Sequence, residues 1–208
     1  MKYLKTILAA TALTATCLHA QAQDDQQRFK RTPVTEMTAE QKKYFDALMA
    51  GPVSGTGSAG VVQGATSLGA PFNVYLRSPV LAERLREVGE YLRFKSSIPA
   101  RLNEFAILIT ARQWTAQYEW FAHHRLALKA GLNPEVAADL ALGKRPANMK
   151  PDEEAVYNFC QEMHTKHEVS DATYKAALDL FGEQGIVDLI AVSGYYVMVS
   201  MILNVNRT

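Results

Sequence analysis

The stretch from Glu104 to Gly131, EFAILITARQWTAQYEWFAHHRLALKAG, constrains this chain more than any other. It holds both tryptophans and two of the five histidines inside an apolar, helix-forming run. Phe105, Leu108 and Ile109, then Phe121, Leu126 and Leu128, recur at helical spacing, so the stretch reads as helix. Glu119 and His123 stand four residues apart and share one helical face. A carboxylate beside an imidazole orients the ring and raises its basicity, which makes the two a candidate proton-transfer pair. Glu104 joins them only if the helix breaks, because continuous helix would set it roughly 28 Å from His123. Gln113-Trp114-Thr115 is the place for a break, with Thr115 as N-cap of a second helix. Two antiparallel helices then return Glu104 to the pair, around a small pocket walled by Trp114, Tyr118 and Trp120. The simpler alternative is one long core helix with an exposed Glu and a structurally satisfied His.

The remainder of the chain also reads as helix and turn. Residues 1–22 have the parts of a secretory signal: Lys2 and Lys5, an apolar run from Ile7 to Leu18, and Ala20-Gln21-Ala22 as a cleavage site. A lipid anchor on Cys17 is the competing reading, and Thr14 and Thr16 suit it poorly. The expectation is a periplasmic or secreted protein. Residues 23–37 are polar and read as a disordered lead-in to one domain over 38–208. Thr38-Ala-Glu-Gln41 is a capping-box pattern ahead of Tyr44, Phe45, Leu48 and Met49. Gly51-Pro52 ends that helix, and a Gly-rich loop runs to Ala70; its Gly55-x-Gly57-x-x-Gly60 follows no strand and is no phosphate loop.

Ser78-Pro79 opens a helix with Leu81, Leu85, Val88 and Leu92 as its apolar stripe and Glu83, Arg84, Arg86 and Glu87 mostly outward. Asn133-Pro134 opens a short helix ending at Gly143, and Pro151-Asp-Glu-Glu begins another. His164 and His167 near its end suit a helix C-terminus better than a metal, and no third ligand has matching spacing. Ser170 caps the next helix, which Phe181-Gly182 ends. Glu183 to Val205 carries only Glu183 and Asp188 as charges, interrupted by Ser193, Gly194, Tyr195, Tyr196, Ser200 and Asn204. That pattern suits a helix in the core or at a subunit interface better than a membrane span. The expected fold is all-α, a single domain of seven to nine helices.

Charge and cysteine content narrow the function. The formal charge is +1, from 22 basic and 21 acidic residues, and loss of Lys2 and Lys5 with the leader takes it to −1. Nothing in that balance suggests a nucleic-acid partner. With Cys17 removed, Cys160 stands alone, so no internal disulfide forms; among Val156, Tyr157, Phe159 and Met163 it reads as a small buried hydrophobe.

The run formed by Ala111, Arg112, Trp114, Tyr118, Glu119, Trp120, His123, Leu126, Ala127, Ala130, Gly131 and Leu132 resembles the carboxymuconolactone decarboxylase-like branch of the alkylhydroperoxidase D superfamily. The resemblance extends upstream through LRSPVLAERLREVGEYLRF and downstream through VSDATYKAALDLFGEQGIVDLIAVSGYY, roughly Tyr44 to Asn204. It implies an all-helical domain assembled as a homotrimer or homohexamer. The peroxidase branch carries a Glu, a Cys-x-x-Cys pair and a His four residues after the second Cys. Laid on this chain, these positions fall on Glu104, Ala116, Glu119 and His123, so the acid and imidazole remain while both thiols are missing.

What the resemblance implies is decarboxylase-type acid–base chemistry, without a cofactor, on a small carbonyl, lactone or carboxylate substrate. His123 would be the general acid or base, Glu119 its orienter and Glu104 a second proton-transfer group. Tyr118 and Arg112 are candidates for gripping an anionic substrate, with Trp114 and Trp120 as walls. Thiol peroxidase activity, the second reading, lacks its cysteines. A non-catalytic oligomer binding a small ligand in the same pocket is the third.

Overall fold

A computed structural model describes residues 26–58 and 60–208. The leader, its cleavage site and Cys17 lie outside the described residues. The chain is all-α, with eight helices and no strand among the described residues. They are α1 (Ala39–Ala50), α2 (Phe72–Tyr75), α3 (Pro79–Phe94), α4 (Ala100–Gln113), α5 (Gln117–Lys129), α6 (Pro134–Ala141), α7 (Pro151–Lys166) and α8 (Asp171–Asn206).

Helix α4 is the axis of the fold because it is buried around most of its circumference. Leu102, Phe105, Ile107, Leu108 and Ile109 are all buried, at 0–1% exposure. A helix buried in that way has to be enclosed by others, and α5, α7 and α8 pack around it. Each of those buried aliphatic or aromatic side chains contributes about 1.5–3 kcal/mol. A second, smaller core gathers Tyr44, Phe45 and Leu48 of α1 with Leu68, Tyr75, Leu76 and Ala82.

Local chemistry fixes most helix ends. Thr38 Oγ1 accepts from Gln41 N at 3.3 Å while Gln41 Oε1 accepts from Thr38 N at 3.0 Å, closing the capping box of α1. Asn133 caps α6 and Ser170 caps α8 through their side-chain oxygens. Ser78 makes no such bond; α3 starts on Pro79 at its first turn instead. Gly182 breaks α8 with φ 65° and ψ −179°, a conformation open essentially to glycine. By length and hydropathy α8 is apolar enough to cross a membrane, but half of its most apolar window is buried against the rest of the protein.

Two expectations need correction here. The described part of the lead-in is strapped down, not free. Phe29 N donates to Asn206 Oδ1 at 2.9 Å, and Asn73 Nδ2 donates to the carbonyl of Phe29 at 3.0 Å. Asn73 and Asn206 are buried side chains whose polar groups need partners, and the strap's backbone supplies them. The face assignment of α3 is also half wrong. Leu81 and Val88 are exposed, at 53% and 46%, while Ala82, Gly89 and Leu92 are buried and Arg86 is turned inward. The inward face runs through Ala82, Leu85, Arg86, Gly89, Leu92 and Arg93, and the cavity described next lies against its Arg86, Gly89 and Arg93.

Candidate active site

Helix α4 ends at Gln113 and α5 begins at Gln117, so the helix does break between Glu104 and His123. Thr115 is not the N-cap. It sits in the left-handed region at φ 52°, and Ala116 precedes the first turn of α5 without a side-chain cap. The turn is held by backbone bonds, Thr115 N to Arg112 O at 3.2 Å and Ala116 N to Ala111 O at 2.9 Å. It lays α5 back along α4 and returns His123 to Glu104.

The result is a three-residue relay. His123 Nδ1 lies 2.6 Å from Glu104 Oε2 in a hydrogen bond, and His123 Nε2 lies 3.0 Å from Glu119 Oε1. His123 and Glu119 are buried, at 5% and 3% exposure. Burial by itself pushes the imidazole pKa down, but two flanking carboxylates outweigh it and raise the pKa to about 9. The carboxylates favour the protonated ring, and both of its nitrogens lie within hydrogen-bonding reach of one. Tyr196 packs edge-on to the imidazole, with ring centroids 5.0 Å apart.

Glu119 and His123 form part of the wall of a small cavity that opens to solvent. Glu104 does not line it and holds the imidazole from behind. The cavity lies between the two cores. Tyr44 and Leu48 of α1 and Tyr75 of α2 form one side, and Tyr195, Tyr196 and Val199 of α8 form another. Part of the Gly-rich loop, through Val53, Thr56 and Ser58, also lines it. Arg125 of α5 pins that loop by donating to the carbonyls of Thr56, at 3.1 Å, and Gly57, at 2.8 Å. Burial raises the pKa of Tyr75, Tyr118, Tyr195 and Tyr196, so their hydroxyls remain protonated donors at neutral pH.

Of the expected wall residues only Tyr118 lines this cavity. Trp114 is the C-cap of α4, and its carbonyl accepts from Asn204 Nδ2 at 2.8 Å. Trp120 stacks on His124, centroids 5.8 Å apart, on a different face of α5 from Glu119. Arg112 donates to Ala141 O at 3.1 Å and ties α4 to the end of α6, and it does not line this cavity. Cavity residues that the sequence reading did not assign to the site, among them Tyr44, Tyr75, Arg93, Tyr195 and Tyr196, come from α1, α2, α3 and α8. One signal for them exists in the sequence. Arg86, Gly89, Glu90 and Arg93 recur at helical spacing as a polar seam on one face of α3.

Cys160 is fully buried beside Ser193 Oγ at 3.7 Å, and burial pushes its thiol pKa up to about 12. Ala116, at one of the two positions where a redox pair would stand, is buried too. His164 is occupied by Thr110, its Nε2 3.1 Å from the Thr110 hydroxyl oxygen. Compared with known proteins, this chain matches no family model, no curated protein and no solved structure.

Proposed function

We propose that this protein is a cofactor-free acid–base enzyme of the lyase type, acting on a small carbonyl or lactone acid. The observation that carries the reading is the buried His123 held between Glu104 and Glu119 at the wall of a largely apolar cavity. Perturbed titrating groups gathered in a cleft are the physical mark of a proton-transfer site. In such a reaction the bond from carbon to the leaving carboxylate breaks and carbon dioxide departs. The electron pair passes to the conjugated carbonyl, and the site returns a proton to carbon. His123 is the proton source, Glu119 exchanges the proton at the cavity wall, and Glu104 fixes the ring and stabilises its charged form. This reading agrees with the resemblance to carboxymuconolactone decarboxylase-like proteins and assigns Glu119 a more direct part than an orienter.

The reading includes export, supported by the leader-like residues 1–22. It also includes a homotrimer or homohexamer. Tyr91 of α3 and Asp188 of α8 are joined by a hydrogen bond of 3.1 Å, and exposed Val88, Val187 and Ile190 lie close to them in sequence. These exposed apolar side chains support a contact with a second copy of the chain. Thiol peroxidase activity is disfavoured, because the only described cysteine is buried and protonated.

The test is a panel of small carbonyl and lactone acids incubated with the enzyme in D2O, read by NMR. Substrate loss with one deuterium in the product, abolished in His123→Ala and strongly reduced in Glu119→Gln, is expected. Binding with neither turnover nor exchange across the panel would instead make the protein a non-catalytic ligand carrier.

A further inference from the structure

Three guanidinium groups line the cavity, and two of them are committed. Arg86 is clamped by carboxylates, with Nε and Nη2 donating to Glu83 at 2.9 and 2.7 Å and Nη1 to Glu90 at 2.8 Å. Arg125 is spent on the carbonyls of the Gly-rich loop. Arg93 differs from both. Among the described residues it pairs with no carboxylate, and its Nε is buried without a hydrogen-bond partner. Its guanidinium stands over the ring of Phe94, 5.2 Å from the centroid, and its charge also reaches the Tyr195 and Tyr196 phenols.

The hydroxyls divide in the same way. Tyr195 donates to Leu85 O at 3.2 Å. Tyr75 Oη, on a residue only 6% exposed that lines the same cavity, stands beside the Tyr195 hydroxyl but completes no hydrogen bond of good geometry with it or with any other group. A buried donor left unmade costs about 1–3 kcal/mol, and a cationic one more. Two such donors in one cavity, one of them cationic, are a vacancy for an acceptor that carries negative charge. Glu119 cannot fill it, because its carboxylate is engaged with His123.

We propose that Arg93 and Tyr75 form an anion-holding subsite of this cavity, and that the molecule it takes is a small carboxylate with an apolar body. The carboxylate accepts from Arg93 Nε–H and from the Tyr75 hydroxyl. The apolar body lies against Leu48, Val53 and Phe72, and the proton relay faces the remainder of the molecule. A cation without a counter-ion selects for charge, and the apolar lining selects against inorganic anions, which have nothing to bury there. Arg93 and Tyr75 are therefore the specificity-determining residues of the site. The inference rests on reading this cavity as the reaction site, but binding alone tests it.

The experiment is calorimetric titration of the full chain with benzoate and butanoate against their neutral amides. Each acid is expected to bind at least about tenfold more tightly than its amide. Arg93→Met should erase that difference, Arg93→Lys should restore part of it, and Tyr75→Phe should weaken acid binding several-fold with the amides unchanged. His123→Ala should still bind the acids. Unfolding of Arg93→Met is checked by its circular dichroism and covered by the Lys variant. If neither acid outbinds its amide, or if Arg93→Met retains the preference, the subsite is refuted. Acid binding that depends on Arg93, without proton exchange on any compound, leaves the subsite standing and removes only the catalytic reading. Exchange whose KM is untouched by Arg93→Met does the reverse.

Discussion

Glu104 Oε2 and His123 Nδ1 meet at 2.6 Å although nineteen residues and a complete reversal of chain direction separate them. The contact sets the protonation of the ring, and it exists only because α5 folds back on α4.

Replacing Glu104 by Gln removes one of the two charges that hold His123 protonated. The imidazole pKa should fall from about 9 by about 1–3 units, with the ring still held by Glu119. Titration of the His123 ring protons by NMR measures this directly. An unchanged pKa would mean that Glu119 alone sets the charge.

The same shift makes stability depend on pH. His123 is raised above its unfolded value of 6.5, so its contribution is fully present below about pH 6.5 and is lost as pH rises through about 9. The size is on the order of a few kcal/mol. Urea midpoints for the wild type should decline across that window, and the decline should be smaller in Glu104→Gln. A flat profile in the wild type would show that the ring is neutral throughout.

An alanine at position 89 has no room. Its Cβ would stand 2.5 Å from the Tyr195 hydroxyl and 3.0 Å from Tyr195 Cζ. Gly89→Ala should therefore cost about 1–3 kcal/mol by overpacking, less whatever the gain in helix propensity returns. Adding Tyr195→Phe should recover only part of the loss, since Cζ remains. Chemical denaturation of the single and double variants decides it, and an unaltered Gly89→Ala midpoint would show that α3 and α8 move apart freely.

Cys160 should be inert while the protein is folded. Its thiol is fully buried with a pKa pushed up to about 12, so Ellman's reagent should react at the rate of unfolding. Peroxide reduction with a dithiol should be negligible, and Cys160→Ser should not alter it. Fast labelling under native conditions would contradict the burial.

The apolar faces of α3 and α8 supply the last test. Val187 is 63% exposed and Val88 46%. If they meet a second copy of this chain, Val187→Asp should shift the sedimentation coefficient towards the monomer at micromolar concentration. A wild-type monomer would exclude the assembly.

Features with a local cause were legible in the sequence. The capping box at Thr38, the Pro134 helix start and the break at Gly182 depend on residues within a few positions of each other, and each stands where spacing placed it. Glu119 and His123 were legible for the same reason, being four apart on one helix. The wall of the cavity was not. Trp114 and Trp120 are neighbours of the site in sequence, but a rotation of about 100° per residue turns Trp120 away from Glu119. Tyr75 reaches the cavity only through the packing of α2 on α3, which no local pattern encodes, and Arg93 is signalled only by the polar seam along α3. On α3 the stripe of Leu81 and Val88 misled because apolar residues face outward there, while a seam with Arg86 and Arg93 faces inward.

The lining of the cavity also decides how its contents are to be seen. Five tyrosines, Tyr44, Tyr75, Tyr118, Tyr195 and Tyr196, line the cavity, while Trp114 and Trp120 lie outside it. Tryptophan emission, the customary optical reporter of binding, therefore looks away from the event. The informative signals are phenolic: ultraviolet difference absorbance, near-ultraviolet dichroism and tyrosine ring resonances, with Tyr196 edge-on to the imidazole and so able to register the charge of His123 as well as the arrival of a guest.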